Sequence, residues 1–132
     1  MRVLWSLWTR PLLAGGRVGW RSPQDHLVSW ILSVCLARRH GADTCLVTDD
    51  AGASLLIDGL GLEFAEVSLS LNALADHDPD WWALGKLYAY AEQERPFVHI
   101  DSDCYLWEPL PADLLAAPVI ASHPEIVELG RS

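Results

Sequence analysis

Short apolar runs alternate along the chain with longer amphipathic stretches. Val3 to Trp8 is rich in β-branched and aromatic residues and predicts a strand. A loop carrying Gly15, Gly16 and Gly19, with Arg10, Arg17 and Arg21, is predicted to follow. Ser22-Pro23-Gln24-Asp25 then has the form of a helix start: a capping hydroxyl, Pro at the first helical position and an acid three residues after the cap. Leu27, Trp30, Ile31, Val34, Cys35 and Arg38 recur at helical spacing, and Gly41 is placed to end that helix. Thr44 to Thr48 predicts a second strand. Asp49-Asp50 opens a short helix through Leu60, and Phe64 to Val67 predicts a third, shorter strand.

Asp78-Pro79 predicts another helix start, after which Trp81, Leu84, Leu87, Tyr88 and Ala91 trace an apolar stripe as far as about Gln93. Phe97 to Ile100 and Pro118 to Ala121 predict two further strands. Strand–helix–strand repetition of this kind implies an α/β fold, a mainly parallel sheet with flanking helices and right-handed crossovers. The 132 residues are enough for one domain with a real core, and no internal repeat or low-complexity segment divides them.

Composition narrows the function classes. At 51% hydrophobic with seven Trp, the chain is that of a folded globule. A net charge of −9 argues against a nucleic-acid partner and suits capture of cations, or of anions by way of cations. Cys35, Cys45 and Cys104 are an odd set without Cys-x-x-Cys spacing and read as reduced core thiols. The apolar stretch Val3 to Trp8 is only as long as a strand and runs into Arg10 and Pro11, unlike a secretion signal. The longest apolar region, Leu27 to Ala37, is interrupted by Ser29 and Ser33 and is too short to span a membrane. A cytoplasmic protein without a transmembrane segment is expected.

Chemistry concentrates after the Phe97–Ile100 run, which delivers Asp101 and Asp103 at its end. Alternate residues of a strand share a face, so two such carboxylates can converge on one hard cation, Mg²⁺ or Mn²⁺. Asp-x-Asp alone is a weak signal: Asp76-His77-Asp78 and Asp78-Pro79-Asp80 repeat it in a loop and a helix start. The copy at Asp101 is set apart by the buried strand before it. The competing role for Asp101 and Asp103 is to cap a turn.

Pro96-Phe97-Val98-His99-Ile100-Asp101-Ser102-Asp103, followed by Trp107-Glu108-Pro109-Leu110-Pro111, resembles the metal motif of bacterial glycosyltransferases of the GT-A fold. Leu4-Trp5-Ser6-Leu7-Trp8-Thr9 looks like the first strand of that family, Val47-Thr48-Asp49-Asp50 like the end of its second, and Trp82 to Ala89 like the helix before the metal motif.

The resemblance implies a nucleotide-diphosphate sugar as donor. Asp103 would be the principal ligand of Mn²⁺ or Mg²⁺, with Asp101 its helper on the ribose or a metal-bound water. It also implies Trp8 and Thr9 near the base, Asp49 or Asp50 at the neighbouring strand end, and Lys86, the only lysine, beside the diphosphate. For Asp49 and Asp50 the competing role is helix capping by Asp50 with Asp49 solvated. His99 is expected to satisfy a hydrogen bond in the core, Trp107 to pack the loop over the motif, and His123 to be a surface loop residue, with approach to the site the competing role.

Chain 1–132 is shorter after the motif than the family pattern. The acceptor and the catalytic groups therefore stay unidentified, and a partner chain or further segment is expected to complete the site. The alternatives are a nucleotide-sugar-binding module without turnover and a haloacid-dehalogenase-like phosphatase; in the latter, Tyr105 stands where Thr or Val is usual.

Overall fold

The computed structural model describes residues 1–15 and 20–122. Four parallel strands form one sheet in the order β3-β2-β1-β4: β1 is Arg2–Leu7, β2 Asp43–Thr48, β3 Glu66–Ser68 and β4 Val98–His99. β1 pairs with β2 along its whole length, from Arg2 opposite Asp43 to Leu7 opposite Thr48. On its other side β1 pairs with β4 through Val3 opposite Val98 and Leu4 opposite His99.

Alternation along the strands builds two cores, one on each face of the sheet. Val3 and Trp5 of β1 and Leu46 of β2 face α2 (Pro23–Arg39), where they meet Trp30, Val34 and Ala37. Leu4, Cys45 and Val47 face the other way, toward Leu71 and Leu74 of a 3₁₀ turn (Ser70–Leu74) and Ala89 of α4 (Leu84–Ala91). The predicted α/β class, with a parallel sheet flanked by helices, is what the chain forms. Among the described residues no helix is long and apolar enough to cross a membrane.

α2 starts as its sequence dictates: the Ser22 hydroxyl accepts from the Asp25 N–H at 3.2 Å, and Pro23 occupies the first turn. Gly41 follows its end with a φ of 75°, the left-handed conformation that glycine adopts without strain. The short helix after β2 also forms, as α3 (Asp50–Ala53) running on into a π-helical turn (Ser54–Gly59). Its cap is Asp49, however, not Asp50: the Asp49 carboxylate accepts from the Gly52 N–H at 2.9 Å.

Several predicted elements are corrected. Thr9–Leu13, read as loop, is a short helix α1 that leaves β1 directly. Asp78-Pro79 starts no helix, because the Asp78 carboxylate accepts from the Asp80 N–H and closes a local turn. α4 begins only at Leu84, which packs against the core as the predicted stripe requires, but the rest of that stripe does not form the buried face. Trp81, Leu87 and Tyr88 are exposed, whereas Gly85 and Ala89 are buried. Small residues win because the helix lies close to β1: a Cβ on Gly85 would stand 2.6 Å from the Trp8 Cβ.

Pro118–Ala121 pairs with no strand among the described residues and leaves Val119 in solvent; Pro118 has no N–H to offer a ladder. α5 (Ala112–Ala116) was not foreseen and has no buried residue. Of the cysteines only Cys45 belongs to the core; Cys35 and Cys104 are exposed, and all three are free thiols.

Candidate functional site at the end of strands β1 and β4

The chain leaves β1 toward β2 and β3 and returns to the opposite side of β1 for β4. The sheet therefore reverses its winding between β1 and β4. In open α/β sheets a crevice at the carboxyl ends of strands opens at such a point. A cleft of about 470 Å³ lies there, lined by Ser6 and Leu7 of β1, by Trp8 just after it and by Asp101, Ser102 and Asp103 after β4. Lys86 and Gly85 of α4 supply another wall, and Trp20, His26, Trp30 and Trp82 make much of the rest aromatic.

Asp101 and Asp103 do reach one cleft, but not as neighbours on a strand. The Ile100 N–H still donates to the Leu4 carbonyl at 3.1 Å; the chain then turns, and the Cys104 N–H donates to the Asp101 carbonyl at 2.9 Å. The two carboxylates thus sit on a tight turn beyond the ladder, both exposed.

Two serines of α2 hold that turn. Ser29 donates to the Ser102 carbonyl at 2.6 Å, and Ser33 donates to the Cys104 carbonyl at 2.8 Å. Ser33 in turn accepts from the fully buried Trp5 indole N–H at 3.0 Å. In the sequence Ser29 and Ser33 register only as interruptions of an apolar run. Their four-residue spacing, which puts both hydroxyls on the helix face that carries Trp30 and Val34, is the signal that would have found them.

Lys86 points at Asp101: its ammonium lies 2.8 Å from the Asp101 carboxylate. The same ammonium stands 5.7 Å from the centre of the Trp82 ring, within cation–π range. Trp82 itself is well exposed, so it offers a free aromatic face at the mouth of the cleft.

Thr9, Asp49 and Asp50 belong to an adjoining cavity, which shares only Trp8 with the first. Thr9 is buried, and its N–H and hydroxyl both donate to Asp49 Oδ2, at 2.9 and 2.8 Å. With Asp49 also capping α3, this pair ties the end of β1 to the end of β2. Asp50 instead accepts from the Asn72 side-chain amide at 3.0 Å. Trp8 is nearly buried and forms a wall between the two cavities.

His99 satisfies the hydrogen bond expected of it: its Nε2 lies 3.0 Å from the Ser6 hydroxyl, and the Tyr90 ring meets it edge-on at 4.9 Å. Burial pushes its imidazole down to about 4, so it is neutral at physiological pH. Burial lowers His26 as well, and its Nε2 accepts from the Trp30 indole N–H at 3.2 Å. Trp107, expected to pack the loop, lies out in solvent beside Tyr105. The Arg10 guanidinium donates to the His77 carbonyl. Arg17 and His123 lie outside the described residues.

Among the described residues no three His, Cys, Asp or Glu side chains gather as a ready-made cation cage. Two exposed carboxylates in an open cleft can hold a hard cation only where water or ligand phosphates complete its shell, as Mg²⁺ sites do.

No curated protein matches the chain, and no solved structure does. A family described as one of unknown function (DUF6734) matches residues 1–129, and the chain belongs to it.

Proposed function

We propose that the protein is a metal-dependent, GT-A-like glycosyltransferase domain that binds a nucleotide-diphosphate sugar in the β1–β4 cleft. One observation carries the proposal: Asp101, Asp103 and Lys86 converge with several tryptophans at the single point where the sheet reverses its winding. Asp103, which makes no ion pair among the described residues, is the principal cation ligand, and Asp101 is its second carboxylate. Lys86 supplies positive charge for a phosphate. A bound Mn²⁺ or Mg²⁺ would stabilise the charge that develops on a departing diphosphate.

The aromatic lining suits the flat faces of a base or a sugar ring. Trp8 supports this as a cleft wall. Thr9 and Asp49 contribute by fixing the strand ends, since their polar atoms are engaged with one another.

Calorimetric titration with UDP and GDP, with and without Mn²⁺, tests the proposal. Metal-dependent binding is expected, with Asp103→Ala weakening it by about ten-fold or more. No metal-dependent binding of any nucleoside diphosphate, or unchanged binding in Asp103→Ala, removes the donor site. Hydrolysis of a bound nucleotide sugar distinguishes an enzyme from a binding module.

A further inference from the structure

Lys86 and Asp101 are each assigned to a different component of the ligand, yet at 2.8 Å they satisfy one another. A cation at the Asp101 carboxylate stands against the positive charge of the adjacent ammonium, and a phosphate at the ammonium stands against the negative charge of the adjacent carboxylate. We infer that this ion pair makes the cleft select the cation–diphosphate complex over either component alone. The inference rests on the donor-site proposal and adds to it the form in which the ligand is accepted.

Charge makes the selection physical. Without ligand, Lys86 offsets one of the three carboxylates that line the cleft, Asp80, Asp101 and Asp103. A bare divalent cation gains Asp101 only by stranding the ammonium beside it. A bare diphosphate gains Lys86 only by leaving Asp101 facing its own negative oxygens. The complex is close to neutral and brings a cation to Asp101 and a phosphate to Lys86 at once, so each charge of the pair gains an opposite charge and neither repulsion stands alone.

The pair is also cheap to open. Both side chains are part exposed, and ion pairs of that kind hold weakly. Trp82 keeps the released ammonium near the cleft, since its ring already lies in cation–π range.

Opposite signs in two single variants test this. Mn²⁺ binding is followed by electron paramagnetic resonance, and UDP binding by calorimetry. Lys86→Met is expected to bind bare Mn²⁺ about two- to five-fold more tightly, because the competitor for Asp101 is gone. The same variant is expected to bind UDP in the presence of Mn²⁺ about ten-fold more weakly. Asp101→Asn mirrors it, binding UDP without metal more tightly and UDP with Mn²⁺ more weakly.

Affinities that move in the same direction for bare Mn²⁺ and for the complex in Lys86→Met overturn the selection while leaving the donor site standing. Wild-type protein that binds no nucleoside diphosphate with Mn²⁺ overturns the donor site itself.

Discussion

Ser33 of α2 donates its hydroxyl proton to the Cys104 carbonyl at 2.8 Å while accepting from the Trp5 indole at 3.0 Å. One buried hydroxyl thus links the central strand, the longest helix and the turn that carries Asp101 and Asp103. Its removal leaves a buried indole N–H and a backbone carbonyl without their partner. Ser33→Ala is expected to cost about 1–3 kcal/mol in urea unfolding. A loss under that range would mean that the turn stands without the Ser33 hydroxyl.

Gly85 touches Trp8 so closely that any Cβ there must push the helix or the indole away. Gly85→Ala is expected to destabilise by about 1–3 kcal/mol despite the better helix propensity of alanine. Because both residues line the cleft, ligand affinity falls with stability. Thermal melts with and without UDP and Mn²⁺ measure both effects.

Asp49 and Asp50 are chemically alike and adjacent, but only Asp49 caps α3 and holds Thr9. Asp49→Ala is expected to cost at least about 1–2 kcal/mol, the value of a cap. Asp50→Ala, which loses one exposed contact to Asn72, is expected to cost about 0.5 kcal/mol or less. Equal losses from the two variants would contradict the arrangement.

Burial holds the His99 imidazole at about 4 against an ordinary 6.5, while the unfolded chain takes up its proton near 6.5. The contribution to stability is therefore complete above pH 6.5, declines as pH falls toward 4 and is flat below that. Its full size is at most about 3.5 kcal/mol. His26, lowered by burial too, slopes the same way. Melting temperature followed from pH 7 to 4 should fall, and His99→Gln should make that fall shallower. An unchanged slope in the variant would show that the ring is not protected from protons.

The strongest local signals in the sequence survived folding. Ser22-Pro23 with Asp25 set the start of α2, and the β-branched and aromatic run at Val3 set β1 within a residue. The errors share a cause, which is competition that a local pattern does not display. The stripe through Trp81, Leu84 and Leu87 was periodic, but close packing against Trp8 selected the face with Gly85 and Ala89. Asp78-Pro79 had the letters of a cap and spent its carboxylate on a turn.

At the site, residue types were legible and geometry was not. Asp101, Asp103 and Lys86 share a cleft, yet the carboxylates lie on a turn, and the Lys86–Asp101 pair depends on where α4 crosses the sheet. Ser29 and Ser33 escaped notice because a hydroxyl in an apolar helix shows its purpose only once its acceptor, 71 residues away for Ser33 and Cys104, is in place.

The pairing of Val3 with Val98 and of Leu4 with His99 joins two ends of the described chain. During synthesis β1, β2 and β3 can assemble once Ser68 has emerged, with most of the α2-facing core already available to them. The cleft has no second wall until β4 arrives, and loop closure over so many residues is slow relative to local pairing. Most of the α2-facing layer is thus encoded before the residues that close the cleft. Ligand bound in the cleft would favour the step that seats β4 against β1, where only two residue pairs form the ladder.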